Sequence, residues 1–155
     1  MKYQMLSKEQ FEELADEFAR FLASQEIDAT EWKDIKLNRP HVAQQEMEIF
    51  SDLVWDGALE KAKFLDHMSP NSLNLFKVDG DDFHRILLKV NRDDFDLFRE
   101  ENYKWLMDNL NSKEVEIFKA SKKFSEDYKM ELFELIQKGA QLSSGLVYDA
   151  ISDFV

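Results

Sequence analysis

Three histidines are the residues of this chain best suited to acid–base or metal chemistry, because imidazole titrates near neutrality. His41 follows Pro40 at the start of an apolar-patterned segment. His67 stands beside Asp66 near a strand end, and the two could serve a small hydrolase in a cleft beside the sheet. His84 lies between Phe83 and Arg85. Alternation along Phe83–Val90 puts His84 on the face of Ile86 and Leu88, where an imidazole is expected to be half-buried and hydrogen-bonded. None of the three is spaced with another histidine or a glutamate as in a zinc helix of the H-E-x-x-H type. No metal site and no catalytic residue set follows from these positions.

Other chemistries lack their tools. There is no cysteine, so disulfides and thiolate metal sites are excluded. Four glycines in all leave no G-x-G-x-x-G and no P-loop, so no nucleotide cofactor is expected. No nucleophile elbow is present, which argues against a Ser/His/Asp hydrolase of that type. Asp79, Asp81 and Asp82 form one carboxylate cluster, and Asp93, Asp94 and Asp96 a second. An extended strand over Phe83–Val90 would hold them about 26 Å apart, so they are not expected to share a cation.

Charge is the strongest compositional signal. The 155 residues hold 32 acids and 20 bases, a net charge of −12. Residues 1–60 carry 14 acids and 6 bases, a net of −8. Such a surface repels phosphate backbones and attracts basic proteins. The basic run Lys113, Lys119, Lys122, Lys123 and Lys129 is interleaved with Glu114, Glu116, Glu126 and Asp127, so no nucleic-acid binding is expected. No run of about 18 apolar residues and no secretory leader is found, so a cytoplasmic protein without membrane contact is expected.

The elements that carry these residues read as one α+β domain over 1–155. Ser7 and Gln10 form a capping box, and Phe11, Leu14, Phe18, Phe21 and Leu22 recur as one helical face. Asp28 caps a short helix over about 29–37, which Asn38-Arg39-Pro40 ends. A third helix starts at Pro40, with Val42, Glu46 or Met47, Ile49, Phe50, Leu53 and Val54 inward, and frays at Gly57. Residues 62–68, 73–78 and 83–90 read as strands, joined by Ser69-Pro70-Asn71 and Asp79-Gly80-Asp81-Asp82 turns. A helix over 98–110 with Phe98, Trp105, Leu106 and Leu110 inward follows, then a strand over 115–120. A helix over 126–138 comes after Ser125, and Ser143 or Ser144 caps a last helix carrying Leu146, Val147, Ile151 and Phe154. The expected architecture is a small antiparallel sheet of three to four strands with about six helices segregated against one face.

The pieces Ser7-Lys8-Glu9-Gln10-Phe11-Glu12-Glu13-Leu14, Glu48-Ile49-Phe50-Ser51-Asp52-Leu53-Val54-Trp55 and Leu73-Asn74-Leu75-Phe76-Lys77 stand together with two more. These are Trp105-Leu106-Met107-Asp108-Asn109-Leu110 and Leu135-Ile136-Gln137-Lys138-Gly139-Ala140. With them the chain resembles a family of short, acidic, uncharacterised proteins of flavobacteria and their relatives, a domain of unknown function. The resemblance implies a bacterial cytoplasmic setting and carries over no activity and no site residues.

From the residues themselves, the preferred reading is a non-enzymatic interaction protein. Glu12, Glu13, Asp16 and Glu17 would present an acidic helical face to a basic protein partner, with Trp55 as an apolar anchor at a helix end. The rivals are the Asp66/His67 hydrolase and a mimic of nucleic-acid charge.

Overall fold

The computed structural model describes residues 1–155 as two compact units, Met1–Glu60 and Lys61–Val155. The architecture is α+β, with seven helices and one five-stranded antiparallel sheet rather than six helices and three to four strands.

The first unit is helical. The expected first helix is two, α1 (Lys8–Glu13) and α2 (Ala15–Ala23), because Leu14 leaves helical angles at φ −102°, ψ 23°. The capping box at Ser7 and Gln10 is formed as expected. Asp28 caps α3 (Ala29–Asn38) by accepting the Glu31 N–H. The fourth helix, α4 (Pro40–Lys61), runs through Gly57 instead of fraying there. Its buried residues in this unit are Ala43, Phe50, Ser51 and Leu59, while Ile49 and Leu53, expected inward, are 49% and 57% exposed. Phe50 organises the core, its ring centroid lying 6.0 Å from that of Phe11, 4.9 Å from Phe18 and 5.4 Å from Phe21. Trp32 of α3 closes edge-on against Phe18 at 5.3 Å. The chain start is tied down by backbone N–H groups that α4 satisfies. Asp52 accepts from Lys2 and Tyr3 at 2.7 and 2.9 Å, and the buried Ser51 hydroxyl oxygen accepts from Leu6 at 3.0 Å.

The second unit is a sheet with helices. Its strands are β1 (Phe64–Ser69), β2 (Ser72–Asp79), β3 (Asp82–Val90), β4 (Val115–Lys123) and β5 (Gln141–Ser143), ordered β4-β3-β2-β1-β5. Three helices complete it: α5 (Glu100–Asp108), α6 (Tyr128–Gln137) and α7 (Leu146–Phe154). The antiparallel register aligns side chains in rows across the strands, because alternate residues share a face. One row reads Gln141, Asp66, Leu75, Ile86, Lys119, and its neighbour Ser143, Phe64, Lys77, His84, Ser121. This face packs Leu73, Leu75, Ile86 and Leu88 against Leu106 of α5 and Tyr148 and Ile151 of α7. The opposite face carries Phe76, Phe83 and Arg85, which share a cavity with Glu131 and Leu135 of α6. Helices thus lie on both faces within this unit, and the expectation of one covered face is corrected. Both sides of β2 and β3 carry large apolar side chains, and each side needs cover.

Three further expectations shift. Phe98 is 64% exposed, because α5 starts after it at Glu100. The helix expected over 126–138 is α6 over Tyr128–Gln137, and Asp127 caps it by accepting the Met130 N–H. The residue before α7 is Gly145 in the left-handed region, and Leu146 and Phe154 are 77% and 46% exposed.

Candidate functional site

Asp66 and His67 are neighbours on β1, so strand alternation sends their side chains to opposite faces. They do not form a direct pair, yet both border one cavity of about 510 Å³. The cavity also takes in Met68 and Leu73 of the sheet, Tyr103 of α5, Gln141 of β5 and Val147 of α7. The half-buried Asp66 carboxylate accepts a hydrogen bond from the Ser143 hydroxyl at 3.0 Å. Ser143 is oriented in turn, its oxygen accepting the Gly145 N–H at 3.3 Å. Gly145 is required here: its φ is +84°, and a Cβ would fall onto the Phe64 ring. On the other side, Gly139 lets the chain pass close to His67, since a Cβ there would sit 2.9 Å from Nε2.

Burial pushes the Asp66 carboxyl above the usual range, and the Ser143 hydrogen bond pulls the other way. Tyr103 is also raised, first by burial and then by the negative charge of Asp66. The cavity therefore holds a carboxylate that has lost water and gained one neutral donor. That arrangement favours a ligand that brings a positive charge or further donors.

A second cluster lies on the same sheet face, toward β4. His84 Nδ1 is 2.6 Å from the Ser121 hydroxyl, and Nε2 is 3.2 Å from the Asp79 carboxylate. The half-buried, hydrogen-bonded His84 expected from alternation is what the structure shows. Of its two partners, Ser121 comes only through the long-range β3–β4 pairing, while Asp79 belongs to the same hairpin as His84. The missing nucleophile elbow speaks only against one scaffold, and a strand row assembles serine, histidine and aspartate without it.

The opposite face holds a third site, a cavity of about 410 Å³ lined in part by Arg85, Lys122, Glu131 and Lys138. Hydrogen bonds from Lys122 and from Ser125 hold the Glu131 carboxyl down at about 2. Lys123 pairs with Asp82 at 3.1 Å and Lys122 with Glu131 at 2.8 Å. The basic run is spent partly inside its own unit.

A family model described as "Family of unknown function (DUF6495)" matches residues 1–155. The chain belongs to this family. No curated protein and no solved structure matches it. Membership agrees with the resemblance read from the sequence and assigns the DUF6495 chain no activity.

In this DUF6495 protein the predicted acidic residues are brought to the surface. Glu12 and Glu13 on α1 and Asp16 and Glu17 on α2 are all exposed. Other acids of the same unit are engaged internally, among them Asp28 as a cap, Asp34 with Asn38 and Arg39, Glu46 with Gln25, and Asp52 with the chain start. Trp55 lies within α4, half-buried, and not at a helix end as expected. His41 is exposed at the start of α4. No helix is long and apolar enough to cross a membrane.

Proposed function

We propose that the second unit is a binding domain for a small amphipathic ligand with an amine or comparable donor head, held by Asp66. One observation carries the reading: a half-buried carboxylate opens into a cavity of about 510 Å³ whose other walls include Met68, Leu73 and Val147. Pockets of a few hundred Å³ with few convergent polar groups are the usual form of small-molecule sites. Asp66 would pair with the ligand's head, Tyr103 and Gln141 would orient it, and the apolar wall would take its tail. His67 borders the same space, so hydrolysis by the Asp66/His67 set is measured on the same samples. The setting proposed is the cytoplasm.

The experiment is a ligand-observed NMR screen of primary amines and their neutral amide counterparts against the full chain. Amines are expected to bind and to lose binding in Asp66→Asn. Amide hits that bind Asp66→Asn equally well would contradict the reading. Because the bound cation favours the ionised carboxylate, affinity is expected to rise with pH through the Asp66 titration and then level off.

A second reading rests on the first unit. Four exposed carboxylates on consecutive helical turns, in a unit with 14 acids and 6 bases, support docking of a basic protein. Reversing Glu12, Glu13, Asp16 and Glu17 to lysine is expected to abolish capture of a basic partner at low salt. Competition between DNA and the chain for that partner would mark charge mimicry.

A further inference from the structure

The row Lys77, His84, Ser121 on the sheet face, with Asp79 one step along β2, holds groups that neither the family nor the reading above assigns. The backbone accounts for their closeness. Asn91 N–H donates to Glu114 and Phe124 N–H to Asp81, which fixes the hydrogen-bonded pairs of the β3–β4 ladder. His84 and Ser121 fall on the intervening non-hydrogen-bonded pair, where facing side chains come closest. The Ser121 N–H then points outward from β4, an edge strand, and not into the ladder.

Proton positions follow from the donor inventory. An ionised Asp79 can only accept, so His84 donates from Nε2 to its carboxylate. Nδ1 of the neutral ring is then the acceptor for the Ser121 hydroxyl at 2.6 Å. Lys77 and Lys119 border the same recess of about 270 Å³, with Tyr148 of α7 as its wall.

We propose that Ser121 is a nucleophile toward acyl esters that carry an anionic group. His84 is its general base, Asp79 the positioning residue, and Lys77 and Lys119 bind the anion. Ser121 Oγ forms a bond to the acyl carbon while its proton passes to His84 Nδ1. The tetrahedral intermediate collapses, the ester C–O bond breaks, and the leaving alcohol takes that proton. Water then attacks the acyl-serine, gives a proton to His84, and releases the acid as Ser121 regains its hydroxyl. The outward N–H of Ser121 is available to the developing oxyanion.

The test uses the full chain with p-nitrophenyl succinate, which is anionic, and p-nitrophenyl acetate, which is neutral. Peptide mass spectrometry is expected to find the succinyl group on Ser121, and Ser121→Ala to remove it. His84→Gln is expected to slow acylation by about 10²–10⁴-fold. Asp79→Asn is expected to lower the acylation rate and leave KM unchanged, a split that loss of structure would not give. Lys119→Gln should erase the preference for succinate over acetate. Ser121 is exposed, and folding of each variant is confirmed by its proton NMR spectrum. Acylation at another residue, or an unchanged rate in folded Ser121→Ala, would overturn the proposal.

Discussion

The two units handle charge in opposite ways. Residues 1–60 carry a net of −8, and Glu12, Glu13, Asp16 and Glu17 stand on the surface of helices whose other side is an aromatic core. Residues 61–155 carry 18 acids and 14 bases, a net of only −4, yet they hold the charged groups with shifted titration. Chemistry here follows placement rather than amount. A sheet register lines up polar side chains in rows and backs them with apolar cover, while the surface of α1 and α2 leaves Glu12, Glu13, Asp16 and Glu17 to water.

Removal of the aromatic centre should separate the units most sharply. Phe50→Ala takes away a buried ring touching three others, and a loss of about 3–5 kcal/mol in urea unfolding is expected. Hydrogen exchange should locate the lost protection in α1–α4. A cost below about 1 kcal/mol would show that this cluster is not the core of the first unit.

Ser51→Ala should cost less, about 1–3 kcal/mol, because it strands the buried Leu6 N–H. The measurement is thermal unfolding, with Ser51→Thr as a control that restores an oxygen. Equal stability of the alanine variant would show that the chain start is not anchored there.

Acid titration tests the second unit with two carboxylates of opposite sign. Glu131 is held near 2 against an ordinary 4.5, so its contribution is complete above 4.5 and lost as pH falls toward 2. Glu131→Gln should flatten that loss. Asp66 is raised above an ordinary 3.8, so the fold loses stability as pH rises through its titration. Asp66→Asn should therefore be the more stable protein at pH 7. Reversal of the four helical carboxylates should change stability least, within about 0.5 kcal/mol, while changing partner capture most.

Much of the fold was legible in the chain, and the reasons are physical. The turns at Ser69-Pro70-Asn71 and Asp79-Gly80-Asp81-Asp82 carry their own conformational chemistry, so β1, β2 and β3 could be read locally. The strand Gln141–Ser143 could not, since three residues give no period and its pairing to β1 is long-range. Ile49 and Leu53 fit a helical stripe, but the packing of Phe50 and Ser51 chose another face. The sites were half legible. Asp66, His67 and His84 stood out by type. Ser143, Tyr103 and Ser121 did not, because each reaches its partner only through tertiary pairing. Asp79 was within reach, since a hairpin closed by Asp79 and Asp82 puts it on the His84 face.

Carbon-13 titration of the Asp66 side-chain carboxyl, with and without a bound primary amine, tests the placement argument most directly. The expected result is a midpoint above 3.8 in the free chain that falls when the amine occupies the cavity. A midpoint at or below 3.8, unmoved by amine, would contradict it.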